Sequence, residues 1–292
     1  MQRRQILSAA AGLGAGLLAP HTRAQGNSIV LGQSAALSGP ASELGEQFKR
    51  GALLHFDRVN ARGGIGGRPI ELVSLDDGYE PDRCAANTRK LLERGVFALF
   101  GYIGTPTSLA ALPLATAAKT PFIAPFTGAE ALRAPFNRYA FHVRASYFDE
   151  TAAIVKQITS VGIQRVGVFH QNDSYGKAGL EGVVRALKPL KLEPAAKGTV
   201  ERNTVVVDEA VQVILAANPG AIVMISAYKS CAPFIRAARK AGYGGNFYNV
   251  SFVGTQALAH ELGADARGVV VSQVMPYPFA PNTTVAGDYL AA

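Results

Sequence analysis

The sequence has few of the residues that build disulfide, metal or nucleic-acid sites. It contains no tryptophan, and Cys84 and Cys231 are its only cysteines, so a disulfide scaffold is excluded and one bridge at most is allowed. We predict that both cysteines are free, partly buried thiols. Histidines, cysteines and carboxylates show no metal-ligand spacing, so neither a metal nor a cofactor is expected. The formal net charge is +8, but the basic residues are dispersed, which argues against a nucleic-acid partner.

The N-terminal segment at 1–24 is typical of an export signal rather than of a folded element. Arg3 and Arg4 precede a weakly apolar stretch at 6–19 that is too short to span a bilayer. Thr22-Arg-Ala24 then offers small residues where a signal peptidase cleaves. The twin arginines also resemble a twin-arginine signal, so both the general (Sec) route and the twin-arginine route stay open. We predict a signal peptide at 1–24, a mature chain that begins at Gln25 and a periplasmic location.

The stretch at 96–128 predicts a strand, a loop, a helix, a second strand and a second loop. The first strand ends in Gly101-Tyr-Ile-Gly-Thr-Pro-Thr-Ser108, and the second ends in Pro125-Phe-Thr-Gly128. Parallel strands need such a helical crossover, so both loops lie at carboxyl strand ends, where open α/β sheets bind ligands. Loop hydroxyls and free helix N–H groups there suit a polar or anionic ligand group. The alternative is a capped helix with no ligand.

This alternation of strand and helix runs through the mature chain and restarts once. It extends from 29 to 128 and begins again at 139, which indicates two similar α/β units with parallel sheets. We assign lobe I to 25–144, lobe II to 145–273 and a return segment to lobe I at 274–292. Within lobe II, Asn203 is expected to cap a helix over 204–217. Ligand pockets favour domain interfaces, so the expected site is the cleft between the lobes.

Several segments, taken in order, resemble one known family. They are Leu37-Ser-Gly-Pro40, Asn60-Ala-Arg-Gly-Gly-Ile-Gly-Gly67, Asp76-Asp77, the 101–108 loop, Pro121 with Pro125, and Asn172-Asp-Ser-Tyr-Gly176. The set is similar to the leucine/isoleucine/valine-binding branch of periplasmic substrate-binding proteins. This resemblance implies the type I fold, in which two Rossmann-like lobes joined by a hinge close around a small solute. It also implies delivery of that solute to a membrane ABC permease, and we expect a monomer. Family members continue beyond Ala292, so the C-terminal part looks truncated.

The same resemblance implies a set of ligand-binding residues. They are Thr105, Pro106 and Thr107 for the ligand's carboxylate, Phe126, Thr127 and Gly128 in the next loop, Tyr175 as a cover, and Tyr228 and Ser251 as further contacts. Ser251 falls where amino-acid binders of the family place a carboxylate for the ligand's ammonium, and a buried ammonium needs a counter-charge. The expected ligand is therefore a carboxylate, for example an aromatic acid. It is an amino acid if another acid, such as Asp173, replaces the missing one.

One motif offers an enzymatic alternative. Ser226-Ala-Tyr-Lys229 matches the Ser-x-x-Lys of penicillin-binding enzymes, but a match this short is common by chance. No convincing Ser-Asp-Asn or Lys-Thr-Gly companion accompanies it. The favoured function is a receptor without enzymatic activity, and the alternative is an exported α/β hydrolase or acyl-transfer enzyme.

Overall fold

The computed structural model describes residues 28–292, and the predicted signal peptide lies outside the described residues. The first half of this part alternates strands and helices. It contains β1 (Ile29–Ala35), α1 (Ser42–Ala61), β2 (Ile70–Asp76), α2 (Pro81–Glu93), β3 (Ala98–Phe100), α3 (Thr105–Ala117), β4 (Phe122–Ile123) and β5 (Ala140–Phe141). These strands form one parallel sheet of five, in the order β2-β1-β3-β4-β5.

A second parallel sheet of five strands follows, in the order β10-β9-β8-β6-β7. Its elements are α4 (Tyr147–Ser160), β6 (Val166–Gln171), α5 (Ser174–Leu187), β7 (Ala196–Val200), α6 (Asp208–Ala216), β8 (Ala221–Ile225), α7 (Tyr228–Lys240), β9 (Asn246–Asn249), α8 (Thr255–Leu262) and β10 (Val269–Val271). The prediction of two α/β lobes with parallel sheets is confirmed. The assigned limits at 144/145 and 273/274 stay predictions.

The chain after β10 lies against the first lobe. Helix α9 (Thr284–Leu290) follows, and Arg58 of α1 donates a hydrogen bond of 2.7 Å to the carbonyl oxygen of Asp288. This contact joins the segment at 274–292 to a helix of lobe I.

The central strands of the second lobe show why this sequence forms a covered parallel sheet. Every residue of β6 and β8 is buried, and their Val, Ile, Met and Phe side chains contact helices on both faces. Helix α4 starts with a capping box, in which Ser146 and Asp149 each bond the other's backbone N–H. Across residues 28–292, no helix combines the length and hydropathy needed to cross a bilayer.

The apolar core of lobe II continues across the gap between the lobes. Its buried cluster includes Ala35, Tyr79 and Ile103 from lobe I, whereas a separate, smaller cluster around Leu99 and Phe122 fills lobe I itself. The two lobes are therefore in direct contact at the ends of their strands.

The prediction that Asn203 caps a helix over 204–217 is wrong. Helix α6 begins only at Asp208, and Asn203 lies in a loop with φ of 60°, in the left-handed region that asparagine tolerates. Its amide donates across the lobes to the Gly78 carbonyl at 3.0 Å and to Glu80 at 2.7 Å. Helix α6 starts later because the Asn203 side chain bonds lobe I instead of capping a helix.

The two cysteines are free, as predicted, but they are completely rather than partly buried. Cys84 lies in α2 of lobe I and Cys231 in α7 of lobe II. Burial raises the pKa of both thiols, which keeps them protonated and unreactive at neutral pH.

Candidate functional site

The carboxyl ends of strands from both sheets meet in one aromatic cleft. Phe252, in the loop after β9 of lobe II, lies at its centre and is completely buried. Its ring centroid is 5.3 Å from that of Phe126 and 5.9 Å from that of Tyr79, both in lobe I. It is also 4.6 Å from the ring of Tyr175 in its own lobe. The lobes thus close over a shared set of rings.

Two predicted hydroxyl groups form the polar end of this cleft in lobe I. Thr105 opens α3, Thr127 follows β4, and their hydroxyl oxygens lie 2.6 Å apart, both fully buried. Thr127 also accepts a bond of 3.2 Å from the backbone N–H of Ala129. Only one of the two hydroxyl protons can lie between the two oxygens, so the other is available to a ligand's oxygen.

The neighbouring predicted residues serve the helix start rather than the cleft. The Thr107 hydroxyl donates to the carbonyls of Ile103 and Gly104, so it is already used within the first turn of α3. Pro106 is buried in that first turn, where its missing N–H costs no helical bond. Gly104 has φ of 91° and a Cβ there would clash with the Tyr79 ring, so glycine is needed for this close approach.

Two buried tyrosines of lobe II face this polar end. Tyr147 begins α4 and Tyr175 lies in the first turn of α5, with their ring centroids 5.4 Å apart. Gly128 of lobe I allows the start of α4 to approach this loop, because a Cβ at position 128 would lie 2.7 Å from the backbone nitrogen of Tyr147. The Tyr175 phenol oxygen has no hydrogen-bond partner within residues 28–292, and the Tyr147 phenol oxygen meets no strict hydrogen-bond geometry although the Thr127 hydroxyl lies beside it. Burial raises the pKa of both phenols, so both remain protonated donors at neutral pH.

Ser251 stands beside a carboxylate that the sequence analysis did not assign. The backbone N–H of Ser251 donates to Glu150 at 2.8 Å, and the Ser272 hydroxyl donates to the same oxygen at 2.6 Å. The other oxygen of Glu150 pairs with Arg144, whose Nη2 also donates to the Ser251 hydroxyl at 2.7 Å. Both charged side chains are 2% exposed. The carboxylate beside Ser251 is therefore already neutralised by an arginine.

Asp173, the other acid considered for an ammonium, is also fully bonded. One of its oxygens accepts from the backbone N–H of Tyr175 at 2.9 Å. The other accepts from Gln171 at 2.6 Å and from Arg202 at 3.2 Å. Arg202 extends across the cleft to Glu80 of lobe I at 2.9 Å. Asp173 thus caps α5 and holds an inter-lobe arginine.

The structure places Tyr228 at the rim of the cleft rather than in the aromatic cluster. Its hydroxyl accepts a bond of 3.4 Å from the backbone N–H of Glu43 in lobe I. A cavity of about 500 Å³ opens beside it, lined by the starts of α1 and α7 and by α8. The predicted residues therefore separate into a buried group around Thr105, Thr127 and Tyr175 and a rim position at Tyr228.

Ser226 and Lys229 do not form a nucleophile–base pair. Ser226 is completely buried at the end of β8, and its hydroxyl has no partner among the described residues. Lys229 is a partly exposed residue of α7 that pairs with Glu261 of α8. The lysine is thus bound elsewhere and does not activate the serine in this geometry.

The predicted site residues do not include several residues of the cleft, namely Tyr79, Arg144, Tyr147, Glu150, Arg202 and Phe252. Arg144 lies two residues before Ser146, the cap of α4, and an arginine so close to a helix start at a strand end is a usable signal. Phe252 follows Ser251 in a loop at a strand end, where a large aromatic residue has no sheet to pack on. That position is itself a signal of a cleft contact.

Comparison with known proteins identifies the family to which this two-lobed fold belongs. The profile of a family described as "Periplasmic binding protein" matches residues 28–292. The chain belongs to the periplasmic binding protein family. A possible leucine/isoleucine/valine-binding protein from Rhodopirellula baltica superposes with a TM-score of 0.86 and is 39% identical, over 90% of this chain and 73% of that one. The resemblance to the leucine/isoleucine/valine-binding branch and its type I fold is thereby confirmed.

Curated members of the family are also similar over most of this chain. The Leu/Ile/Val-binding protein of Escherichia coli is 24% identical over 88% of this chain and 70% of its own length. An amino acid binding protein of Pseudomonas aeruginosa is 26% identical over 84% of this chain and 66% of its own. This chain thus spans about two thirds of the length of these periplasmic binding proteins. Their names are those of binding proteins, not of enzymes.

Proposed function

We propose that this protein is an extracytoplasmic receptor that captures a small carboxylate-bearing solute between its lobes and delivers it to a membrane ABC permease. One observation carries the proposal: strand-end loops of both lobes converge on a single buried cleft with free hydroxyl donors. Residues on both sides are needed to surround a ligand, which suits a protein that binds by closing. We place it in the periplasm on the basis of the export signal predicted at 1–24.

The carboxylate follows from the polar end of the cleft. Thr105 and Thr127 leave one hydroxyl proton for a ligand's oxygen, and Thr105 is the first residue of α3, whose N-terminus favours negative charge. A relative named for leucine, isoleucine and valine is consistent with a ligand that has a carboxylate and an apolar body. The rings of Phe126, Tyr175 and Phe252 supply apolar surface for such a body.

Binding would proceed by closure about the hinge. Ligand entry requires the lobes to separate, since Phe252 and its neighbours are fully buried when they touch. A ligand that contacts both lobes favours the closed state, because only that state makes all of its contacts. A receptor without enzymatic activity needs nothing more than this equilibrium.

Thermal unfolding of the purified protein, followed by calorimetry, tests the proposal. A ligand that binds only the folded protein raises the melting temperature, so amino acids, aliphatic acids and aromatic acids are screened together. Thr105→Val should weaken binding of a hit about tenfold or more, because it removes a hydroxyl that bonds a charged group. Thr159→Val is the matched control, since that hydroxyl bonds only carbonyls of its own helix α4. A screen in which no carboxylate raises the melting temperature would contradict the proposal.

A further inference from the structure

Three unpartnered polar atoms lie on adjoining buried side chains of the cleft. They are Nη1 of Arg144 and the hydroxyls of Tyr147 and Tyr175. The two tyrosines are fully buried, and the Arg144 side chain is 2% exposed. Buried polar groups are almost always hydrogen-bonded, so three orphans in one cluster point to a group that is bound in use.

The arginine is held so that only one edge is free. Its guanidinium carbon lies 5.4 Å from the ring centroid of Phe126 in lobe I and 5.4 Å from that of Tyr147 in lobe II. Nη2 is used by Glu150 and Ser251, and Nε donates to a backbone carbonyl. Nη1 is therefore an unused donor of this guanidinium among the described residues. A guanidinium has no acceptor, so its free edge can bond only to an acceptor.

The acids of the same region are not free to bind a cation. Both oxygens of Glu150 accept bonds, one of them from Arg144 itself. Both oxygens of Asp173 accept bonds as well, one of them from Arg202. The cluster thus offers unused donors to a ligand and no unused carboxylate.

We infer that the ligand is an organic acid without an ammonium group, and that Arg144 is a specificity-determining residue whose Nη1 binds its carboxylate, aided by the hydroxyls of Tyr147 and Tyr175. This inference rests on the proposed receptor function. An amino acid would bring its ammonium to a region whose acids are already paired, and would lose the hydration of that charge without compensation. An acid can instead satisfy the three donors, with its carboxylate bonded to Nη1 of the Arg144–Glu150 pair.

Two matched sets of probes test the inference on the unmodified protein by calorimetry. Isocaproate is leucine without its amino group, hydrocinnamate is phenylalanine without it, and isocaproamide replaces the carboxylate by a neutral amide. We expect at least one of the two acids to bind, with its amino-acid counterpart at least tenfold weaker. The amide should be at least tenfold weaker than isocaproate wherever isocaproate binds, since a bond to a charged acceptor is the stronger one.

Variants locate the effect at Arg144. Arg144→Met combined with Glu150→Gln removes both charges, so no buried carboxylate is left unpaired, and the glutamine oxygen can still accept from Ser251 and Ser272. This double variant should bind the acid at least tenfold more weakly and should lose its preference over the amide. Glu150→Gln alone should bind the acid more tightly, because the charge of Arg144 is then left for the ligand.

Arg94→Met with Glu71→Gln is the matched control, because it removes an exposed ion pair of lobe I far from the cleft. Unchanged acid binding in the Arg144 double variant would overturn the role given to Arg144. Tight binding of leucine or phenylalanine with no binding of either acid would overturn the ligand class while leaving the receptor function intact. Failure of every acid and amino acid to bind would overturn the receptor function as well.

Discussion

The inter-lobe contacts of Arg202 and Asn203 should set how readily the cleft closes. Arg202 of lobe II bonds Glu80 of lobe I at 2.9 Å, and Asn203 bonds Glu80 at 2.7 Å and the Gly78 carbonyl at 3.0 Å. Burial lowers the pKa of Arg202, but the hydrogen bond from Arg202 to Glu80 and the negative charge of Glu80 together raise the pKa of Arg202 above its usual value. None of these contacts can form when the lobes separate. Their free energy therefore adds to the closed state alone.

Arg202→Met is the perturbation that removes the bond between two charged side chains from this set. Side chains of Arg202 and Glu80 are 23% and 42% exposed, so solvent screens the pair and a buried ion-pair energy does not apply. We therefore expect the loss of the charged bond between Arg202 and Glu80 to destabilise the closed state by about 1–2 kcal/mol. The equilibrium constant between the open and closed states then falls about five- to thirtyfold in the variant. The apparent ligand affinity should fall by the same factor.

Calorimetry gives the affinity, and small-angle scattering with and without ligand gives the closed fraction. Asn203→Gly is a second variant, since glycine keeps the left-handed backbone and loses only the amide. Arg94→Met, in an exposed pair within lobe I, is the control and should change neither quantity. An Arg202→Met protein with wild-type affinity and a wild-type closed fraction would refute the reasoning.

Three further outcomes are expected from buried groups. Burial raises the pKa of Asp77 to about 6. Its contribution to the free energy of unfolding is therefore full below pH about 4 and is lost as the pH rises through 6. Asp77→Asn should flatten this dependence of the unfolding free energy on pH, as measured by urea unfolding at about pH 4–8. Phe252→Ala should lower ligand affinity more than Phe234→Ala, because Phe252 joins the two lobes whereas Phe234 packs within lobe II; calorimetry of both compares them. Iodoacetamide should leave Cys84 and Cys231 unmodified in the folded protein and add two adducts after unfolding, as read by mass spectrometry; any adduct on the folded chain would contradict their burial.

The framework of the fold was predictable because its signals are local. Strands buried on both faces, such as β6 and β8, appear as short apolar runs, and the loops that end them carry Gly, Pro, Ser and Thr. From those runs alone the sequence indicates parallel sheets and places the 101–108 and 125–128 loops at the edge where ligands bind. The pairing of Thr105 with Thr127 follows from that placement.

The charges of the cleft were not predictable, because their partners are distant in sequence. Glu150 bonds Ser251 although the two are 101 residues apart, and Asn203 bonds Gly78 across 125 residues. No periodicity reports such pairs. The predicted helix cap at Asn203 is wrong for the same reason. Asparagine is a good helix cap, but the tertiary bonds of Asn203 to lobe I outweigh a local preference of about 1 kcal/mol.

The two cleft arginines act on different steps, and this separates ligand recognition from closure. Arg202 bridges the lobes through Glu80, and among the cleft rings it approaches Tyr79, with its guanidinium carbon 6.0 Å from the ring centroid, so its loss should weaken every ligand by one common factor. Arg144, the last residue of lobe I, pairs with Glu150 of lobe II and keeps one unbonded nitrogen close to the rings of Phe126 and Tyr147, so its loss should change the ratio between an acid and its amide. Affinities of isocaproate and isocaproamide in both variants decide the point. A common factor at Arg144, or a changed ratio at Arg202, would mean that the two roles are not separate.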